Sequence, residues 1–165
     1  NKGQSHGLTL AGMHALDSCR MEKKFVHYGH DVAETDAPLE CGMGFVCDLN
    51  KSEHFIGRDA ILKQKESGSF MKKRLVQFLL EDPEAMLYSH GAILRDDKIV
   101  GHLTSGNYGH TLGGSVGLGY IEVEDDITKD YLESGKIEID VAGVPVSAKA
   151  SLVAQYDPKA ERMRG

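Results

Sequence analysis

Apolar residues recur along this chain with two different periods, and the change falls near residue 70. Over residues 8–23, Leu8, Gly12, Ala15, Leu16 and Cys19 return at steps of three and four, which predicts an amphipathic helix. Thr9, or an Asn or Ser before it, would cap its start. Residues 25–40 hold no steady period. Gly29 and Pro38 punctuate them and Asp, Glu and Thr fill them, so they read as a loop. The apolar run CGMGFVCDL (41–49) reads as a buried strand whose glycines admit close backbone approach. GRDAILKQK (57–65) predicts a short helix with Ile56, Ala60 and Ile61 turned inward. Ser67-Gly68-Ser69 reads as a linker, and Lys72-Lys73-Arg74 after it as solvated charge.

Beyond Arg74 the period becomes two. Residues 75–80 predict a strand with Val76, Phe78 and Leu80 on one face. AILRDDKIVGHLT (92–104) predicts a hairpin about Asp96-Asp97, a weaker turn signal than Asp-Gly. SVGLGYIEV (115–123) predicts another strand. IEIDV-AG-VPVSAKA predicts a second hairpin turning at Ala142-Gly143, with Pro145 at a sheet edge or strand start. Short strands with regular turn signals point to a small barrel or sandwich, and the chain as a whole to an α+β fold. Asp157-Pro158 closes the strand region, and a basic tail with Arg162 and Arg164 follows.

The chain has 165 residues, room for one domain or two small ones, and its 41% hydrophobic content supplies a core. A formal charge of −6 argues against nucleic acid and anionic membranes as partners. No apolar run approaches the roughly 20 residues that span a bilayer. Residues 1–8 carry no signal-peptide pattern, and the start at Asn1 without Met leaves room for a further N-terminal region. The odd count of 3 cysteines fits free thiols in a reducing compartment, read as buried small hydrophobes.

Candidate chemistry concentrates between residues 16 and 40. His27 and His30 stand three apart, as in some zinc sites, but no further His or Cys follows at ligand spacing, which argues against a metal. Cys19 lacks an evident base, which argues against a nucleophile. Arg20 lies at the flank of the predicted apolar face, three residues after Asp17. That spacing favours a surface ion pair worth a few tenths of a kcal/mol. Its planar fork also suits a carboxylate or polar ring edge, with Tyr28 placed to stack or donate.

Several stretches in order resemble the glycine cleavage T-protein (aminomethyltransferase) family. They are ALDSCRME (15–22), YGHD (28–31), PLE (38–40), FIGRDAILKQK (55–65) and IVGHLTSGNYGHTLGGSVGLGYIEVE (99–124). The closing YDPK (156–159), with Arg162 and Arg164, looks most like the end of dimethylglycine and sarcosine dehydrogenases. The likeness runs from about Leu8 to the tail.

The resemblance implies that residues 1–69 are the C-terminal portion of a folate-binding aminomethyltransferase domain. Residues 70–165 would be a T-protein-like antiparallel β-barrel. It implies tetrahydrofolate as cofactor, an N-methyl or aminomethyl donor, and one-carbon transfer as the parent protein's reaction. Arg20 matches the family's folate-contacting arginine, Tyr28 would shape the pocket, and Arg162 is the counterpart chosen for a contact near the C-terminus. FAD would belong only to an N-terminal dehydrogenase domain or subunit outside this chain. The family's catalytic aspartate and pterin-anchoring acid have no counterpart here, so no catalytic residue is assigned and the isolated chain is expected to be inactive. The compartment implied is the cytoplasm, or the mitochondrial matrix in a eukaryote. Lys23-Lys24 depart from the family's small residues after the motif glutamate. The rival reading is a non-catalytic folate-binding or protein-interaction module.

Overall fold

The computed structural model describes residues 2–165. Strands β1 (Lys73–Leu80), β2 (Ala92–Arg95), β3 (Lys98–Gly109), β4 (Gly114–Glu122), β5 (Ile137–Val141) and β6 (Val144–Ser151) form a closed barrel. The order around it is β1-β4-β3-β2-β5-β6, with every neighbouring pair antiparallel. β1 shows why the fold needs two layers. Val76, Phe78 and Leu80 point into the barrel, while Leu75 and Gln77, 1% and 0% exposed, point out of it. A strand buried on both faces requires a second cover. Helix α1 (Met13–Glu22) and the loop after it supply that cover, through Met21, Val26, Val32, Cys41 and Met43.

Both predicted hairpins form. Arg95 pairs with Lys98 around Asp96-Asp97, and Val141 pairs with Val144 around Ala142-Gly143. All four turn residues have positive φ, as the right-handed strand twist demands of a two-residue turn. Asp96 compensates for lacking glycine's freedom. Its amide donates to Lys136 O and its carboxylate accepts from Lys136 N, tying the turn to the start of β5. Pro145 sits near the start of β6, ahead of the stretch that pairs with β1. Gly119 is needed because the backbone of the neighbouring strand β3 lies against it: a Cβ would lie 2.5 Å from His102 O.

Helix α2 (Arg58–Ser67) lies before the barrel, and α3 (Lys129–Ser134) and α4 (Glu161–Arg164) follow β4 and β6. The period reading missed α3, which has under two turns. Its start carries a helix signal all the same: the Thr128 hydroxyl accepts from Tyr131 N at 3.1 Å, and Leu132 plugs the barrel core. Thr128→Ala should lower stability by about 1 kcal/mol. A urea midpoint equal to the parent's would remove the cap from this account.

The first 70 residues depart from their pattern. α1 begins at Met13 after Gly12, with no side-chain cap, so Thr9 plays no such part. Leu8, Ala15, Leu16 and Cys19 are exposed, and the buried positions are Ser18, Met21 and Glu22. Two of these are polar and satisfied only by the distant barrel, so hydrophobic spacing selects the wrong face. Residues 41–49 form turns and a 3-10 helix (Gly44–Val46), not a strand. Gly42 takes a left-handed conformation and Met43 N bonds back to Pro38 O, which bends the run. Ile56 and Ala60 are exposed, whereas Ile61 and Leu62 are half-buried. The basic trio is not simply solvated either. Lys73 Nζ donates to Asp36 at 2.9 Å, and Arg74 packs over the Phe70 ring with its Nε buried and unpartnered.

Candidate functional site

The junction of α1 with the barrel is made by polar groups. Ser18 Oγ donates to Tyr108 O at 2.7 Å. Glu22, only 4% exposed, accepts from Thr111 N and Leu112 N at 2.6 and 3.0 Å. Gln77 projects outward from β1. Its Nε2 donates to Met21 O and Glu22 O at the end of α1, and its Oε1 accepts from Gln155 N at 2.7 Å. Buried polar groups of this kind are costly when unmatched, so together they fix α1 in one register on the barrel.

Arg20 lies in this frame. Its Nε donates to Asp17 at 3.0 Å, Nη1 to Asp31 at 2.5 Å and to Phe25 O at 3.4 Å, and Nη2 to Ser105 Oγ at 3.0 Å. A guanidinium has five N–H groups. These bonds engage four, leaving one on Nη2. The Asp17 pair that spacing favoured exists, but it is one part of a larger clamp. Asp31 is the deeper partner, 1% exposed. Besides Arg20 it accepts from His27 N at 2.9 Å and from the Thr104 hydroxyl at 2.6 Å.

Thr104 and Ser105 are consecutive on β3, and consecutive strand residues ordinarily point to opposite faces. Here Leu103 pairs with Gly119 and Ser105 with Leu118, so Thr104 is an inserted residue opposite no partner. The bulge turns both hydroxyls toward the Arg20–Asp31 pair. The sequence pattern alone assigns no role to Thr104, Ser105 or Asp31. The signal available was the LTSG and YGHD stretches, which the resemblance had marked without saying what they do.

A cleft of about 340 Å³ opens beside the clamp, lined among others by Asp17, Arg20, His27, His30, Ser89 and Asn107. The His27 and His30 rings lie 4.6 Å apart at its edge. Among the described residues no three His, Cys, Asp or Glu side chains converge on a metal position. Tyr28 is elsewhere. It is 70% exposed and borders a separate apolar hollow of about 400 Å³ with Val32, Pro38, Cys41, Met43 and Val46. Burial pushes the Cys41 thiol upward, which keeps it protonated and inert. Arg162 stands on α4, its guanidinium 6.0 Å from the centre of the Tyr156 ring. The three residues singled out from sequence thus occupy three places, and only Arg20 lines the clamp cleft.

The fold and this junction define a class: a six-stranded barrel locked to a helix–loop unit, with a polar cleft at the seam. The profile described as the glycine cleavage T-protein C-terminal barrel domain matches residues 73–157, and that of the GCVT N-terminal domain matches residues 1–51. The chain belongs to the glycine cleavage T-protein family. It is 41% identical to the 4-methylaminobutanoate oxidase (formaldehyde-forming) of Paenarthrobacter nicotinovorans over 99% of its length, covering 19% of that protein. It is 34% identical to the mitochondrial sarcosine dehydrogenase of Homo sapiens, again over 99% of its length and 18% of the relative. The chain therefore spans roughly a fifth of the length of these relatives. The crystal structure of the glycine cleavage system aminomethyltransferase T from Bartonella henselae superposes with a TM-score of 0.72. That match covers 88% of this chain and 39% of the other at 18% identity, a likeness of fold. No helix of the described residues is long and apolar enough to cross a membrane.

Proposed function

We propose that this chain is the folate-facing portion of a protein that transfers one-carbon units from an N-methyl or aminomethyl donor to tetrahydrofolate. The observation that carries this reading is the Arg20 clamp, a guanidinium held rigid by Asp17, Asp31 and Ser105 with one N–H on Nη2 left for a ligand in the adjoining cleft. The donor set suits a polar heteroaromatic edge: a fixed planar cation, with Asn107 and two imidazoles on the same walls. Tetrahydrofolate, when bound, supplies the nitrogens that accept the one-carbon unit. The chain's own share is to bind and orient that ring and to keep it from tumbling, a positioning role. Tyr28 and Arg162 lie outside this cleft, and the reading gives them contacts with more distant parts of the ligand.

In this reading residues 1–69 belong to the folate-binding domain and residues 70–165 to the barrel. The catalytic acid, and any flavin domain that oxidises the amine, lie outside the chain. The names of the two relatives, an oxidase that forms formaldehyde and a sarcosine dehydrogenase, support an amine-oxidising parent. The reading places the protein in the cytoplasm, or in the mitochondrial matrix of a eukaryote, the latter supported by the name of the mitochondrial sarcosine dehydrogenase.

Titration calorimetry of tetrahydrofolate against the chain tests the reading. Arg20→Lys keeps the charge but loses the fork, and should weaken binding about tenfold, close to 1.5 kcal/mol for one charge-assisted hydrogen bond. Circular dichroism verifies that the variant folds. Saturable binding that Arg20→Lys leaves untouched would move the ligand out of this cleft. No binding by the parent would favour a non-catalytic interaction module.

A further inference from the structure

The end of α1 carries a cation that takes no part in the clamp. Lys23 Nζ donates to Asp157 Oδ2 at 2.9 Å and to Asp157 O, and the two side chains are only 10% and 8% exposed. The partners are 134 residues apart, and Asp157 begins the segment beyond the barrel. Its other carboxylate oxygen accepts from Glu161 N at 2.8 Å and from Arg162 N at 3.5 Å, which organises the turn into α4. The Tyr156 ring lies between the two ends of this arrangement, 5.9 Å from Lys23 Nζ and 6.0 Å from the Arg162 guanidinium. One carboxylate thus grips α1 with one oxygen and sets Arg162 with the other. A largely buried pair with a second, backbone-directed bond is worth more than an exposed one, because solvent and salt screen it less.

We propose that Lys23 is a positioning residue: through Asp157 it holds the C-terminal segment, and with it Arg162, in a fixed place relative to the helix that carries Arg20. The ligand surface would then be completed by a latch outside the cleft. This inference rests on the folate reading for its effect on binding, but not for the latch itself.

Lys23→Gln, Lys23→Arg and Arg162→Gln, made singly, and the double variant Lys23→Gln/Arg162→Gln, in the full chain test it with two readouts. The first is amide hydrogen exchange at Glu161 and Arg162. Exchange should quicken at least tenfold in Lys23→Gln and return toward the parent rate in Lys23→Arg. The second is tetrahydrofolate affinity. Lys23→Gln and Arg162→Gln should each weaken it roughly three- to tenfold, and the double variant no more than either alone, since one acts through the other. Losses that multiply, or an affinity unchanged in Lys23→Gln when the parent binds, would overturn the positioning role. A parent that does not bind tetrahydrofolate while these amides still quicken would sink the folate reading and leave Lys23 a latch of the tail. Unchanged exchange overturns the latch whatever the titration gives.

Discussion

Asp31→Ala should cost about 3–5 kcal/mol of folding stability, the range for removing one partner of a buried ion pair. Asp31 is 1% exposed and serves three donors on three parts of the chain: Arg20 on α1, the amide of His27 in the loop, and the bulged Thr104 on the barrel. Removing it strands the His27 amide and takes the deepest partner from Arg20, while the Thr104 hydroxyl keeps Leu118 O at 3.1 Å as an alternative acceptor. Arg20 retains Asp17, but that carboxylate is 35% exposed and cannot replace a fully desolvated one. Asp31→Asn should cost less, because an amide oxygen still accepts from Arg20 and from His27 N. Thr104→Val removes a single hydroxyl and should cost about 1 kcal/mol. Combined with Asp31→Ala it should add less than it costs alone, because only the bond to Leu118 O is then left to lose. Urea denaturation of the four variants beside the parent decides this. An Asp31→Ala midpoint close to the parent's would mean that the clamp contributes no net stability. A fully additive double variant would mean that Thr104 and Asp31 do not act together.

What the sequence made legible follows from where each segment finds its partners. The β2–β3 and β5–β6 hairpins close on neighbours a few residues away, so alternation and turn residues sufficed to place them. The outward face of β1 could be read only in part, since strand alternation says that two faces exist and not what covers the second. α1 was misread because its buried face is Ser18, Met21 and Glu22, and the two polar members are matched by Tyr108, Thr111 and Leu112, about 90 residues away. Spacing cannot reveal an acceptor that far off. The bulge at Thr104 is a property of pairing between strands, and no single strand's sequence contains it. The resemblance located the ALDSCRME, YGHD and LTSG stretches, and the structure explains why the three travel together: each contributes to one ion pair. It also divides their labour, because Arg20 borders the cleft while Glu22, two residues on, is consumed in holding the barrel.

The Lys23-Lys24 departure is resolved into two opposite effects. Lys23 gains a partner in Asp157, whereas Lys24 is a burden. Lys24 has φ +55°, a left-handed conformation unfavourable for any side chain but glycine's hydrogen. Burial, with the Arg74 guanidinium nearby, pulls its ammonium down to about 8 from 10.5. The sign follows from which state holds the proton. Below pH 8 both folded and unfolded chains carry the charge, and the folded chain bears the whole penalty. Between pH 8 and 10.5 the folded chain releases its proton first, so stability rises with pH, and above 10.5 the penalty is gone. At about 1.4 kcal/mol per pKa unit the penalty is of order 3 kcal/mol. Lys24→Gly should therefore stabilise the protein by about 3 kcal/mol at pH 7, the relief of the left-handed backbone roughly offsetting glycine's extra unfolded-state entropy. Near pH 10.5 the gain should shrink to under about 1 kcal/mol. Lys24→Met keeps the backbone strain and removes the charge, so it should reproduce the pH dependence without the conformational part. Urea midpoints of the three proteins from pH 7 to 10.5 measure this. A Lys24→Gly gain that stays constant across that range would show that the ammonium is not desolvated, and that backbone strain alone sets the effect.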